Sequence, residues 1–289
     1  MLRKNASVSG FMWLVYLLLA LALLYAGFVS VISFTQTRLL FPTQIAAAGP
    51  PSLPRSAESL AVRTPDGEHL SGVRLAPKAG EIDGSPILLG FGGNAWNAEV
   101  MALYLHDLFP ESEVVTFHYR GYAPSSGQPS AAALLKDSLA IFDHLRQDNA
   151  RPVIPVGFSI GSGVAAYLAR HRPVDGLILV TPFDTLEALA REHFPWAPVG
   201  LLLRHHLPTI DFVRDSAVPT ALITAGRDTI VPARRSEPLR KVMARLVFDR
   251  IIADAGHNDL YEHPAFIVEM REALSRIMAE AGSRTLPRP

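Results

Sequence analysis

The sequence of 289 residues contains no cysteine. This absence excludes disulfide bonds, catalysis by a thiolate, zinc sites built from thiolates and attachment of a lipid to an N-terminal cysteine. Histidine occurs ten times, but without the spacing typical of metal ligands, and the adjacent His205 and His206 are expected to point to opposite sides of a helix. We therefore expect neither a metal ion nor another cofactor.

An excess of charge of either sign is also lacking, since 27 lysines and arginines balance 27 aspartates and glutamates. Proteins that bind nucleic acids normally carry a basic patch or stripe, so we expect no nucleic-acid partner. The segment "GGNAWN" at 92–97 is not followed by the Lys-Ser/Thr pair of a phosphate-binding loop, and the chain has no G-x-G-x-x-G motif. Nothing in the sequence indicates an obligate protein partner.

A run of 22 almost entirely apolar residues, "FMWLVYLLLALALLYAGFVSVI", extends from Phe11 to Ile32. A helix crosses a bilayer with about 20 such residues. The apolar part of a cleaved signal peptide has only about 7–15 residues and precedes a cleavage site of small residues. The length favours an uncleaved transmembrane anchor over a cleaved signal, and a buried helix of the domain is the weakest alternative.

The charges that flank this run predict its orientation. Arg3 and Lys4 precede the run, and Arg38 is the one nearby charge after it. The positive-inside rule then keeps the N-terminus in the cytoplasm and places the rest on the far side of the membrane, in the periplasm of a bacterium. The predicted parts are a cytoplasmic segment 1–10, an anchor 11–32, a proline-rich linker 33–58, a folded domain 59–282 with a lid insert at about 184–216, and a disordered tail 283–289.

Short apolar runs alternate with stretches of helical periodicity through most of the domain. A hairpin around Asp66 and Gly67 comes first. Six runs then read as strands, each followed by an amphipathic or helical stretch: "PILLGF", "EVVTFHY", "PVIPVGF", "DGLILVTPF", "PTALITAG" and "LVFDRII". This order predicts an α/β fold with a mostly parallel sheet that helices cover on both faces.

The pentapeptide "GFSIG", Gly157–Gly161, lies between a predicted strand and a predicted helix. A nucleophilic serine needs such a sharp turn, and glycines two residues to either side relieve the crowding that the turn creates. The motif alone is weak, but this context favours Ser159 as a nucleophile over a structural turn serine. The N–H of Ile160, at the start of the helix, is a candidate oxyanion donor.

A serine nucleophile needs a base that an acid orients. Asp228 follows the apolar strand "ALITA", and His257 lies on a glycine-containing loop after the next strand. The order Ser, Asp, His is the order of α/β-hydrolases. Asp184 is a rival for the acid, and a helix cap is the alternative role of Asp228. The second oxyanion donor is expected from the loop at 92–97, with the N–H of Asn94 favoured and Gly93 beside it.

These segments together resemble the membrane-anchored α/β-hydrolase-domain serine hydrolases, the group related to lysophospholipases and protein depalmitoylases with one N-terminal span. The matching segments are "RLLFP", "GGNAWN", "HYRGYAPSSGQPS", "GFSIGSGVAAYLA", "LVTPFDTL", "AGRDTIVP" and "GHNDL". The resemblance implies an α/β-hydrolase fold with Ser159 as nucleophile, Asp228 as acid and His257 as base, and Asn94 and Ile160 as oxyanion donors. Gly92 and Ala123 depart from the family, which usually has histidine and glycine there.

The function expected from these features is hydrolysis of a carboxylic ester or thioester, with a small or lipid-like acyl substrate because the enzyme and an amphiphile share the membrane. Three other functions stay open: a serine peptidase of short peptides, acyl transfer to an acceptor other than water, and an inactive hydrolase domain that serves as an envelope interaction module. The apolar residues of the lid, Phe194, Trp196 and Leu201–Leu203, are expected either to line an acyl pocket or meet lipid, or to form the core of the lid itself.

Overall fold

The computed structural model describes residues 3–46, 52–78, 80, 84–147 and 150–282. The predicted tail 283–289 lies outside the described residues. The strands are β1 (Glu58–Arg63), β2 (His69–Leu75), β3 (Ile87–Phe91), β4 (Glu113–Phe117), β5 (Val153–Phe158), β6 (Leu177–Val180), β7 (Thr220–Ala225) and β8 (Leu246–Ile252). The helices are α1 (Arg3–Leu40), α2 (Thr43–Ala46), α3 (Ala98–Leu108), α4 (Ala131–Gln147), α5 (Ile160–His171), α6 (Leu186–His193), α7 (Val199–Leu202), α8 (Thr209–Val213), α9 (Glu237–Val242) and α10 (Pro264–Gly282), and two short 3₁₀ turns cover Ala233–Arg235 and Leu260–Glu262.

The eight strands form one sheet in the order β1-β2-β4-β3-β5-β6-β7-β8. The pairs β1–β2 and β2–β4 are antiparallel, and the other five pairs are parallel. This arrangement confirms the predicted α/β class and the antiparallel hairpin at its start. Parallel strands end at the same edge of the sheet, so the loops after β3, β5, β7 and β8 meet there.

Two apolar layers cover the two faces of the sheet. Successive strand residues point to opposite faces, and Leu88 accordingly packs in the layer of α3 and α10, whereas Leu89 packs in the layer of α4 and α5. Both leucines are completely buried. Strands that are buried on both faces explain why the parallel part of the sheet reads as continuous apolar runs rather than as alternation.

The N-terminal helix α1 carries the apolar run. Among the described residues it is the one helix long and apolar enough to cross a membrane. The side chains from Phe11 to Phe28 are exposed, apart from the half-buried Val15, and Val29 is the first that the rest of the chain buries. The exposed part of the helix is therefore the part that the sequence predicts to lie in lipid.

The predicted linker 33–58 is wrong in its first half. The helix does not stop at residue 32 but continues to Leu40, because the chain has no glycine or proline between residue 32 and Pro42. Helix α2 follows directly, and Phe41 and Ala46 are buried against the domain. This segment therefore holds the helix to the domain instead of separating the two.

The predicted lid insert at 184–216 contains the three short helices α6, α7 and α8. The segment 203–208 between α7 and α8 has no regular structure, so the expectation that His205 and His206 lie on a helix is wrong. Pro208 contributes to this, since the residue before it, Leu207, is disfavoured in the helical region. His205 is buried, while His206 is exposed.

Candidate active site

Ser159 occupies the sharp turn between β5 and α5. Its φ of 51° and ψ of −118° are strained for a residue with a side chain. A Cβ at Gly157 would lie 2.5 Å from the carbonyl oxygen of Gly161, and a Cβ at Gly161 would lie 2.1 Å from that of Phe91. The turn therefore tolerates only glycine at both positions, which is the steric reason for the G-x-S-x-G pattern.

Asp228 and His257 form a hydrogen-bonded pair at the same edge of the sheet. The Nδ1 atom of His257 lies 2.6 Å from Oδ2 of Asp228, and the aspartate side chain is 1% exposed. The other oxygen, Oδ1, accepts hydrogen bonds from the backbone N–H groups of Ile230 at 2.9 Å and Val231 at 2.7 Å. The carboxylate is thus held in place on one side and presented to the imidazole on the other, an arrangement that suits an acid orienting a base.

The other carboxylates near this edge have different partners. Asp184, the rival for the acid, lies 3.3 Å from Nη1 of Arg235. Asp259 accepts a hydrogen bond from the N–H of Gly256 and so shapes the turn that carries His257. Asp228 is therefore the aspartate whose geometry fits the role that the sequence suggests for it.

Ser159 and His257 line one cavity of about 420 Å³ at the carboxyl edge of the sheet. Within the described part of the chain no hydrogen bond joins the serine hydroxyl to the imidazole. Proton transfer requires that bond, and such catalytic bonds often form only when substrate is present. The structure therefore brings the three predicted residues to one site, with the acid–base contact formed and the base–nucleophile contact still open.

The two predicted oxyanion donors line the same cavity. Asn94 lies on the loop after β3, and Ile160 opens α5 directly after Ser159. A Cβ built on Gly93 would lie 3.8 Å from Cβ of Ser159, so the backbone of the loop runs close to the nucleophile. The structure therefore brings both predicted donors to the cavity that contains the serine.

Two tyrosines that the sequence did not single out support this loop. The hydroxyl of Tyr122 donates a hydrogen bond of 2.6 Å to the carbonyl of Asn94, and that of Tyr119 donates one of 2.9 Å to the carbonyl of Gly92. Tyr122 is buried, and burial raises the pKa of both phenols, so they stay protonated donors. Their place in the "YRGY" segment was the available signal, but a phenol's partner on a distant loop cannot be read from spacing.

Arg120, between these tyrosines, ties the segment to two other elements. Its guanidinium donates to Oδ1 and Oδ2 of Asp137 on α4, at 2.6 and 3.0 Å, and to Oδ1 of Asp66 in the β1–β2 turn, at 2.9 Å. The hydrogen bond from Arg120 lowers the pKa of Asp66 well below its usual value. A buried arginine with two carboxylate partners holds the tyrosine segment rigidly in place.

The remaining walls of the cavity are mainly apolar. Trp96 packs against Phe158 and Tyr261 with ring centroids 5.0 Å apart in both pairs, and Leu186, Leu189 and Ile230 add aliphatic surface. Burial raises the pKa of Tyr261 to about 12, so its phenol is neutral near pH 7. Among the described residues no group of three or more histidine, aspartate or glutamate side chains is placed to hold a metal ion.

Relatives with similar sequences are found among curated proteins, although no model of a known protein family matches the chain. The uncharacterized protein MT2364 of Mycobacterium tuberculosis is 33% identical over 245 residues, which are 82% of this chain and 86% of that protein. The lysophosphatidylserine lipase ABHD12 of Mus musculus is 28% identical over 197 residues, which are 56% of this chain and 48% of the lipase. The chain thus spans about half the length of that lipase.

Solved structures with the same fold are hydrolases of low sequence similarity. The esterase PF2001 of Pyrococcus furiosus has a TM-score of 0.63 and 18% identity, over 79% of this chain and 97% of the esterase. A putative hydrolase from Agrobacterium vitis has a TM-score of 0.60 and 20% identity, over 78% of this chain and all of that one. The chain is a hydrolase with the α/β-hydrolase fold, and it belongs to the same family as MT2364 and the ABHD12 lipases.

Proposed function

We propose that this hydrolase is a membrane-anchored serine enzyme that cleaves carboxylic ester or thioester bonds of acyl, lipid-like substrates. The observation that carries the proposal is the contact of 2.6 Å between Asp228 and His257 at the cavity that also contains Ser159. The strained turn under Ser159 supports it, because such strain persists where function requires it.

In the proposed reaction the Nδ1–H group of His257 donates to Asp228, which leaves Nε2 free to accept a proton. Nε2 takes the proton of Ser159 while the serine oxygen forms a bond to the carbonyl carbon of the substrate. The bond to the leaving alcohol or thiol then breaks, and that group takes the proton from the imidazolium. Water attacks the acyl-enzyme with His257 as base, which releases the acid and restores Ser159.

The tetrahedral intermediates carry a negative oxygen that the N–H groups of Asn94 and Ile160 stabilise in this proposal. Removal of a single donor of this kind typically lowers kcat by about 10²–10³-fold. Asp228 stabilises the imidazolium that forms in both half-reactions, since its buried carboxylate lies against the ring.

A lipid-like acyl substrate is supported by two independent features. Helix α1 is long and apolar enough to cross a membrane, which would hold the cavity near amphiphiles. A relative of 28% identity is named a lysophosphatidylserine lipase. The proposed anchor is residues 11–32 with segment 1–10 in the cytoplasm. Reporters fused after residue 289 test this orientation. A reporter that is active only in the periplasm should be active, and a reporter that is active only in the cytoplasm should be inactive.

The decisive variant is Ser159→Ala. It should abolish hydrolysis of p-nitrophenyl acetate and labelling by a fluorophosphonate, since both need the serine oxygen. Ser59→Ala, which removes an exposed hydroxyl on β1, should leave both unchanged. Labelling that survives in the Ser159 variant refutes the proposal, and a wild-type protein that is never labelled identifies an inactive interaction domain.

A panel of substrates separates ester hydrolysis from peptide cleavage and from acyl transfer. Purified full-length protein is incubated with lysophospholipids, acyl thioesters and short peptides, with and without a primary alcohol as acceptor, and the products are identified by mass spectrometry. Free fatty acid is the expected product. Cleavage confined to peptides identifies a peptidase, and an acylated alcohol in place of the acid identifies an acyltransferase.

A further inference from the structure

A second cavity, of about 230 Å³, lies between helix α1 and the lid. Val29, Ile32 and Leu40 line it from α1, and Leu186, Phe194 and Leu203 line it from the lid. Its lining contains no charged side chain among the described residues, and its polar members are Ser33 and Gln36. Such a lining suits a hydrocarbon chain, whereas a peptide or a sugar would lack polar partners there.

This cavity adjoins the candidate active site. Leu40 and Leu186 line both cavities, so this pair of leucine side chains lies between the two spaces. A linear molecule that passes between the leucines would have one end in the second cavity and the other beside Ser159. An ester with a long chain has that form.

The lid reaches the depth of the apolar run in α1. The ring of Phe28 stacks on Trp196 with centroids 5.3 Å apart, and the hydroxyl of Tyr25 donates a hydrogen bond of 2.7 Å to the carbonyl of Trp196. Phe28 lies four residues before the end of the run at Ile32, or about 6 Å along a helix. If the run lies in the bilayer, the contact with Trp196 is at acyl-chain depth.

Further polar contacts between α1 and the lid lie just beyond this level. The side-chain oxygen of Gln36 accepts a hydrogen bond of 2.8 Å from the backbone N–H of Arg204. The side-chain amide nitrogen of Gln36 donates a hydrogen bond of 3.0 Å to the carbonyl of Leu202. In the lid, the side chains of Trp196 and Leu201 are 43% and 83% exposed. Exposed apolar side chains next to polar contacts are typical of a segment at the membrane interface.

We propose that the cavity between α1 and the lid binds the acyl chain of the substrate, which enters sideways from the bilayer and passes Leu40 and Leu186 to bring its carbonyl to Ser159. The inference rests on the proposed function and adds where the chain lies. It predicts that the enzyme selects its substrates by acyl chain, through residues of the anchor as well as of the lid. The apolar residues of the lid then form part of an acyl pocket rather than only the lid's own core.

The test fills the cavity from two sides. Ala190 on α6 and Ala197 on the loop after it line this cavity and do not line the one at Ser159. Full-length Ala190→Trp and Ala197→Trp proteins in phosphatidylcholine nanodiscs are assayed with p-nitrophenyl acetate and p-nitrophenyl decanoate. The ratio of kcat/KM for decanoate to that for acetate should fall by about tenfold or more, the effect of displacing two methylene groups from an apolar site.

Ala188→Trp is the matched control, because Ala188 is a half-buried alanine on the same helix that lines neither cavity. Its ratio should equal that of the wild type. If both cavity variants keep the wild-type ratio, the inference is wrong. The acyl chain then lies elsewhere in the catalytic cavity, or the second cavity holds a bilayer lipid. If the wild type hydrolyses neither ester, or its activity survives Ser159→Ala, the proposed function itself has failed.

Discussion

At the level of single residues, the two oxygens of Asp228 have separate tasks. Oδ1 is held by two backbone N–H groups, and Oδ2 contacts Nδ1 of His257. An asparagine at this position keeps an oxygen for the backbone, so the local fold should survive. Its amide nitrogen would then face the imidazole, where it favours the tautomer with the proton on the wrong nitrogen.

We therefore expect Asp228→Asn to lower kcat for p-nitrophenyl acetate by about 10⁴-fold, the loss seen when the acid of a comparable triad becomes an amide. Circular dichroism should show unchanged secondary structure. Asp184→Asn is the matched control, since it changes the rival acid that pairs with Arg235, and it should keep kcat within about tenfold. The opposite result, with only the Asp184 variant inactive, would reassign the acid.

At the level of helices, strands and loops, the loop after β3 depends on support from the segment after β4. Tyr122 and Tyr119 donate to its carbonyls, and Arg120 fixes that segment to the β1–β2 turn and to α4. The antiparallel hairpin thus contributes to the site although it lies at the far edge of the sheet. The family's usual histidine is replaced by Gly92, whose carbonyl one of these bonds holds.

Tyr122→Phe tests this support. Loss of a hydrogen bond of about 1 kcal/mol should lower kcat by about fivefold, because the N–H of Asn94 is held less well where the oxyanion forms. KM should change little, since the ground-state ester does not depend on that N–H. Tyr167→Phe, which removes a hydroxyl on α5 away from the loop, is the control. An effect on KM alone would argue for a role in substrate binding instead.

At the level of the whole molecule, α1 and the lid form a joint surface in which one histidine is buried. Nε2 of His205 lies 2.8 Å from Oγ1 of Thr37, and its ring lies edge-on to Phe41 at 5.2 Å. Burial lowers the pKa of His205, and the charges of Arg204 and His206 add to this. The folded protein therefore takes up this proton at lower pH than the unfolded chain does.

The sign of the pH effect follows from that difference. The contribution of neutral His205 to the free energy of unfolding is complete above about pH 6.5, the ordinary pKa of histidine, and is lost as the pH falls through the lowered value. We expect the Tm of the wild type to drop more between pH 8 and pH 5 than the Tm of His205→Gln. Differential scanning fluorimetry in detergent measures both. Equal drops would show that His205 does not couple the α1–lid surface to pH.

Local patterns in the chain were enough to predict the class of the fold, the strands and the candidate triad. Hydrophobic periodicity, turn residues and the order of the motifs along the chain can be read without knowing how the chain packs. Strand ends and a glycine-flanked serine can be read one segment at a time, and parallel strands then bring those ends to one edge. The start of α3 at Ala98 depends on the side chain of Asn97, which caps the helix. Local chemistry of this kind shifts boundaries by a few residues without changing the fold.

The contacts between distant groups, in contrast, emerge only from the folded molecule. The contact between Asp228 and His257, the ion pair that occupies Asp184, the tyrosines under the loop of Asn94 and the packing of α1 on the lid all join residues far apart in the chain. No local pattern encodes such pairs, because a side chain's partner is set by how the elements pack and not by its neighbours in sequence. For the same reason a segment that reads as a linker continues as helix and closes one wall of a cavity.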